Sequence, residues 1–524
     1  MIVTDQERDS GNFESAGMAS FRENCLPARR RLFSESIRFN QHRVSTSACV
    51  PSRVSLLTGY SPWVHGVKQT DGFAKFHDDP QLNWLPSDRI PTLGHRFQAH
   101  DWDSVYFGKW HLSYANLHHE QGAVVSATEP TVYQAADPLA AYGFNEWVGP
   151  EPHGADIKNS GLFRDEGYVT QAQEWLRSRA KVQNDAPFLL VISLVNPHDI
   201  VFWPPWSLWQ SKFLELDGIP HIGEAASQAW IPKEEAAVLR AYRKQYASAY
   251  GPASIVNWLY DRNPERYRKF YCSLLRRSDR LLGQILNCLD ETQLRASTHV
   301  VMTSDHGELL GAHGGLHQKW YNAYEETIRV PLAISSPRHS QRAGEIVERC
   351  SDHLDLVPTL LSLAGLPESL PGSLCESFES VPALSGVDLL NSPAPKPSYF
   401  VTHDHILEGN HREAAFGRRF PWFGAIWPMK YKPLEALNTA VESVTEHVSD
   451  SSGATRLWKL VRYFSPEEDW AHDSDEWSLF NLDEDPSEMD NLFSDTSFGH
   501  VRDQLLTSLE SCREGSLASR KESK

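Results

Sequence analysis

Short apolar runs punctuate the chain, each ending in polar or turn-forming residues. Ile2-Val3 leads to Asp5, and Ser104-Val105-Tyr106-Phe107 ends at Gly108. Phe188 to Leu194 ends at Asn196-Pro197-His198, and Thr298 to Thr303 ends at Asp305-His306-Gly307. Val330-Pro331-Leu332-Ala333-Ile334 follows. Apolar, β-branched runs without alternation predict strands buried on both faces of a mainly parallel sheet. Between them the spacing turns helical. From Tyr267 to Leu289, positions Tyr267, Phe270, Tyr271, Leu274, Leu275, Leu281, Leu282, Ile285 and Leu289 approximate i, i+3, i+4. A second helix is predicted over Leu354 to Leu363, stopped by Gly365. Strand–helix–strand order predicts an α/β fold, a large and mostly parallel central sheet sandwiched by helices.

Other stretches break this rhythm. Residues 197–264 are rich in Trp and Pro, as in Phe202-Trp203-Pro204-Pro205-Trp206, and read as a lid or pocket wall. Trp203, Trp206 and Trp209 suit either an aromatic wall or lid packing, and packing is the favoured reading. Residues 367–397 have the Pro, Ser and Gly content of a linker. Beyond it, Leu457 to Phe464 and Trp477 to Leu482 predict paired antiparallel strands. The expected division is an α/β catalytic domain over 1–390 and a small antiparallel sheet plus helix over 391–510. A disordered tail is expected over 511–524. Arg29-Arg30-Arg31 reads as a solvated helix face.

Composition narrows the partners. The 524 residues carry 50 Lys and Arg against 68 Asp and Glu, a net charge of −18, which argues against nucleic acid. Any small anionic ligand therefore needs a locally positive pocket. No run approaches the roughly 18–20 apolar residues that span a bilayer, so no membrane association is expected. The seven cysteines are scattered and form no disulfide framework or zinc-type pair. Met1-Ile2-Val3-Thr4-Asp5 lacks the features of a secretory signal, so the expected compartment is cytoplasmic. The chain opens inside a predicted strand, which reads as a truncated N-terminus.

Candidate chemistry gathers at predicted strand ends. Asp5, His198, Asp305 and His306 fall just past strand C-termini, where doubly wound sheets line their ligand crevice. The stretch Cys49-Val50-Pro51-Ser52-Arg53-Val54-Ser55-Leu56-Leu57-Thr58-Gly59 puts a cysteine at a predicted helix start. Pro51 suits the first turn, and free N–H groups there favour an anion. Arg53 can fork two oxygens of a tetrahedral oxyanion. A buried cysteine beside a helix start is the equally weighted alternative.

That segment resembles the hallmark of the sulfatase family, formylglycine-dependent members of the alkaline-phosphatase superfamily, nearest the arylsulfatase and choline-sulfatase types. The hallmark is C-x-P-S-R followed by Thr-Gly. Tyr106-Phe107-Gly108-Lys109-Trp110-His111 and Asn196-Pro197-His198 resemble further family motifs in order. So do Thr303-Ser304-Asp305-His306-Gly307-Glu308, His317-Gln318-Lys319-Trp320, Asp355 to Leu361, and Glu476-Trp477 to Asn491-Leu492. The resemblance covers nearly the whole chain and implies an alkaline-phosphatase-like fold and a sulfuric ester hydrolase acting on a small sulfate ester.

The resemblance implies that a formylglycine-generating enzyme converts Cys49 to an aldehyde, which hydrates. One hydroxyl then attacks sulfur and displaces the alcohol, and the second loses its proton, expelling sulfate and restoring the aldehyde. It implies a divalent-cation site of Asp5, Gln6, Asp305 and His306. The oxygen-rich set suits Ca²⁺, and the histidine leaves Mg²⁺, Mn²⁺ or Zn²⁺ open. His198 would protonate the leaving oxygen or sit beside it, and Lys319 would hold a sulfate oxygen. Arg53, Lys109 and His111 would anchor the modified residue, with His111 a base for the second step. Gln6 departs from the commoner Asp-Asp pair, and His306 stands where many members have Asn. Both features resemble the choline-sulfatase and phosphonate-monoesterase side of the superfamily.

Rival readings are a phosphonate monoester or phosphodiester hydrolase of the same superfamily, and a non-catalytic binding protein with unmodified Cys49. A cysteine hydrolase pairing Cys49 with a histidine is a third. Oligomerisation is compatible with all of them.

Overall fold

The computed structural model describes residues 1–72, 75, 77–117, 130–152, 159–182, 186–209, 214–249, 253–392, 394–409, 434–449, 453–467 and 473–521. Its first strands are β1 (Ile2–Asp5), β2 (Ile37–Phe39), β3 (His42–Arg43), β4 (Asp103–Gly108), β5 (Phe188–Pro197), β6 (Val300–Ser304), β7 (Ala333–Ser335), β8 (Ile346–Val347) and β9 (Ser351–Asp352). A seven-stranded sheet runs in the order β4-β5-β1-β6-β7-β2-β8, and β3 pairs with β9. Strands β4, β5, β1 and β6 are parallel neighbours, with Ile2 opposite Ile192 on one side and Met302 on the other. Their C-terminal ends therefore coincide. β7 runs antiparallel to both β6 and β2. The apolar run from Val330 enters the sheet only at Ala333, because Pro331 has no N–H for a central ladder.

Helices cover both faces, as expected for unbroken apolar strands. They include α1 (Ala16–Cys25), α2 (Pro27–Ser34), α3 (Cys49–Thr58), α4 (Gly161–Lys181), α5 (Pro264–Glu291) and α6 (Leu356–Ala364). Leu281, Leu282, Ile285 and Leu289 of α5 pack with Val169, Ala172 and Leu176 of α4 on Ile2, Ile192 and Met302. On the opposite face Val54 and Leu57 of α3 and Leu361 of α6 pack on Val3, Val191 and Val301. Each such side chain contributes about 1.5–3 kcal/mol on burial. α6 stops at Gly365, whose φ of 72° is a left-handed cap that glycine adopts without strain.

Arg29 departs from the solvated-face expectation. It is buried, bonded to Glu7 at 2.7 Å and to Asp279 at 3.2 Å. A helix residue facing two buried carboxylates is drawn inward, which sequence spacing alone does not reveal. Trp203 and Trp206 are core residues packed against Phe270, and the Trp209 side chain lies outside the described residues.

A second sheet, β10 (Ser398–Thr402), β11 (Ala440–Ser449), β12 (Thr455–Phe464) and β13 (Glu476–Asn481), is antiparallel throughout. The expected strand pair is β12 with β13, in register from Trp458 opposite Asn481 to Tyr463 opposite Glu476. Helix α7 (Gly499–Lys521) packs Val501, Leu505 and Leu509 on Val444, Trp458 and Leu460. The tail expected to be disordered from 511 is thus helical through Lys521. Arg513 is buried and ion-paired with Glu442, a long-range partner that a composition argument does not see.

This sheet also braces the site. Val401 N–H donates to Ser45 O at 3.0 Å and Thr402 Oγ1 to Ser47 O at 2.5 Å, just ahead of Cys49. Buried Lys459 lies 3.0 Å from Glu325 and 2.6 Å from Glu488. No helix among the described residues is long and apolar enough to cross a membrane.

Candidate active site

The four coincident strand ends deliver the chemistry. Lys109 follows β4, His198 follows β5, Asp5 ends β1, and Asp305 with His306 follows β6. Cys49 opens α3 opposite them, so local sequence sets each residue's place on its element and strand order brings them together. Asp5, Cys49, Asp305 and His306 are all buried, with donor atoms within 4.8 Å of one another. Cys49 Sγ lies 3.1 Å from His306 Nε2 and 3.9 Å from Asp5 Oδ1. His306 Nε2 lies 3.7 Å from Asp5 Oδ1 and 3.6 Å from Asp305 Oδ1.

Arg53 turns out to sit beneath the site. Its Nε donates to Asp305 Oδ2 at 2.8 Å and Nη2 to Asp5 Oδ2 at 2.9 Å. Nη1 donates to Lys109 O and Ser193 Oγ, each at 2.8 Å. With its fork engaged inside the protein, Arg53 is no oxyanion clamp: it holds two carboxylates that would otherwise repel. Lys109 Nζ is 2.6 Å from the same Asp5 oxygen. The Oδ2 atoms thus face fixed cations, and the Oδ1 atoms face His306 and Cys49.

Gln6, expected among the metal ligands, is engaged elsewhere. Its Oε1 accepts from Lys319 Nζ at 2.9 Å, and its Nε2 donates to Gln318 Oε1 at 2.8 Å and to Glu308. A φ of 70° at Gln6 turns the chain off the end of β1 and swings the amide toward Lys319. Its backbone N–H stays with the site, donating to Asp305 Oδ1 at 3.1 Å.

The remaining donor set fits a divalent cation. Two buried carboxylates stand side by side: burial and the Asp5 charge push Asp305 upward. Burial and Cys49 oppose ionisation of Asp5, but Lys109, His198 and Arg53 hold it well below the usual range. His306 Nδ1 lies 3.0 Å from Gly307 O, so in the neutral ring that nitrogen carries the proton and Nε2 turns its lone pair to the carboxylates. Asp5, Asp305 and His306 are the residues that would hold the ion.

Cationic groups converge on Cys49. Burial opposes its ionisation, yet Lys319, Lys109, His306 and a hydrogen bond from His111 bring the thiol well below its ordinary value. His111 Nε2 is 2.6 Å from Asp71 Oδ1. Burial works against the charged ring, but Asp71 raises it to about 9, so His111 is a cation near neutrality rather than a ready base. Burial and then Lys109 push His198 down to about 4, with Asp5 and Cys49 acting in the opposite sense. An anion arriving between Lys109 and His198 reverses part of that effect. Lys319, Lys109 and His111 thus set cationic groups around Cys49 inside a chain of net charge −18.

Several contributors escaped the sequence reading. Glu308 and Gln318 lie inside quoted motif stretches, which was the signal available. Asp71, Ser193 and Glu151, which accepts the N–H groups of Trp110 and His111 at 3.1 and 3.0 Å, carry no local signal.

Fold and site together define an α/β protein with a buried metal-type cluster around a cysteine. The sulfatase family model matches residues 1–366, and the chain belongs to the sulfatase family. It is 26% identical over 384 residues to an ulvan-active sulfatase of Formosa agariphila, covering 71% of this chain and 62% of that relative, under two thirds of its length. Among solved structures it is similar to a 2-O GAG sulfatase, with TM-score 0.63 and 17% identity over 98% of this chain and 91% of that one. It is also similar to the phosphonate monoester hydrolase of Agrobacterium radiobacter, with TM-score 0.60 and 17% identity over 98% and 95% of the two chains. The structural likenesses speak to the fold.

Proposed function

We propose that this chain hydrolyses sulfate monoesters to an alcohol and inorganic sulfate. The nucleophile is the hydrated aldehyde made from Cys49 by a formylglycine-generating enzyme. The observation that carries the reading is Cys49 Sγ lying 3.1 Å from His306 Nε2, within a ring of Asp5, Asp305, Lys109, Lys319, His111 and His198. Ca²⁺ is the ion best suited to the two carboxylates of Asp5 and Asp305, with His306 completing the protein's donors. Bound there, a divalent cation supplies Lewis acidity and neutralises charge on the reacting oxygens.

The chain's own residues do the rest. Lys109 and Lys319 neutralise the oxygens of an incoming sulfate, which would otherwise repel a negatively charged nucleophile. His111, protonated against Asp71, donates to the anion. Arg53 keeps Asp5 and Asp305 ionised and aligned without touching substrate. His198, less buried than its neighbours, donates its N–H toward the leaving oxygen.

Mass spectrometry of the Cys49 peptide tests the nucleophile, and unmodified thiol in active protein contradicts it. The Gln6 and His306 pair keeps a phosphonate monoester hydrolase as the competing reading. Rates on matched aryl sulfate and aryl phosphonate esters separate the two, and a strong phosphonate preference favours the competitor.

A further inference from the structure

Asp165 of α4 and Asp199 just past β5 are buried carboxylates, 1% and 0% exposed, that no step above uses. Asp165 accepts the N–H of Val195 at 2.7 Å on Oδ1 and that of Asn196 at 3.0 Å on Oδ2. Asp199 accepts the N–H of Gly161 at 3.0 Å and of Leu162 at 2.8 Å, in the first turn of α4. The clamp is reciprocal. A helix carboxylate holds the strand end, and a strand-end carboxylate caps the helix.

Asn196 sits beside both carboxylates, and its side-chain amide helps to hold each of them down against burial. A Cβ at Gly161 would lie 2.4 Å from Asn196 Nδ2 and 2.7 Å from Asp165 Oδ2, so only glycine admits this packing. Val195 to Asp199 is therefore tied to α4 on both sides of His198. Burial pushes Asp165 up to about 7 and Asp199 to about 6, a cost that simple apolar packing would avoid.

We propose that Asp165 and Asp199 are positioning residues that aim His198 at the leaving oxygen of the substrate. The inference rests on the sulfate-ester reading above. It works through the backbone: the groups that shift His198 are burial, Lys109, Asp5, Lys319 and Cys49, with neither clamp carboxylate among them. A misaimed His198 hurts most where the departing oxygen is most basic, because proton donation matters most there.

The test is kcat along a series of aryl sulfates of graded phenol acidity, for the wild-type enzyme, Asp165→Asn, Asp199→Asn and His198→Ala. In both Asn variants 4-nitrophenyl sulfate should slow about threefold and phenyl sulfate about 10- to 100-fold, a fraction of a full general-acid contribution. The leaving-group dependence should steepen in the same sense as in His198→Ala. Asp165→Asn and Asp199→Asn loosen opposite arms of the clamp, so either one carries the test, with the same expected direction, should the other fail to fold. Equal losses across the series, or a lowered melting temperature with an unchanged slope, overturn the inference. A wild-type chain with converted Cys49 that cleaves no sulfate ester overturns the functional reading and this inference with it. An active wild type with parallel slopes in the variants overturns this inference alone.

Discussion

Arg53 Nε lies 2.8 Å from Asp305 Oδ2, and this bond joins the second turn of the cysteine helix to the end of β6. The same guanidinium reaches Asp5 at 2.9 Å, so one residue locks Cys49, β1 and β6 into a single frame. Its role is architectural, and in the reaction proposed above the charge that meets sulfate would fall to Lys109, Lys319 and His111.

Arg53→Ala leaves two buried carboxylates facing each other without their shared partner. Breaking a buried pair from one side costs about 3–5 kcal/mol. Urea unfolding should report a loss of this order, and Arg53→Lys should recover only part of it because an ammonium cannot fork. An unchanged midpoint in Arg53→Ala contradicts the assignment.

Cys49→Ala should keep the fold and remove turnover of sulfate esters by a factor on the order of 10⁴ or more, as expected for loss of a nucleophile. Circular dichroism and initial rates on one preparation check both halves. Residual activity within tenfold of wild type would place the nucleophile elsewhere.

The His111–Asp71 pair gives a pH signature. His111 is raised from its ordinary 6.5 to about 9, so the pair's stabilisation is complete below about pH 6.5 and is lost as pH rises through about 9. The whole step is about 3 kcal/mol in scale. Asp71→Asn should remove it, leaving a flatter stability profile between pH 6.5 and 9.5 in chemical denaturation. A wild-type profile already flat over that interval excludes the pairing.

Cation binding should appear as stability as well as activity. Chelation of the purified enzyme should lower its melting temperature and abolish turnover, and re-adding Ca²⁺ should restore both. At a free cation concentration 100 times Kd the gain is about 2.7 kcal/mol. In Asp305→Asn the same titration should shift to weaker binding, and an undiminished response there would move the ion away from Asp305.

The order of apolar runs was enough to place β1, β4, β5 and β6 and the helix over 264–291, because each pattern is local and the sheet is buried on both faces. The Cys49 stretch and the polar residues past those strand ends were legible for the same reason. Other features depended on distant partners. Arg29 became a buried ion pair, the residues after 511 stayed helical, Gln6 gave its carbonyl to Lys319, and Asp71 captured His111.

Sequence by itself determined which residues stand at strand ends and helix starts, since hydrophobic period, proline and glycine act over a few positions. Only the tertiary structure decided what each charged group faces. Arg53 meets Asp305 across 252 residues and His111 meets Asp71 across 40. Such pairings follow from how strands stack and how much water is excluded between them, quantities that no local stretch of chain contains.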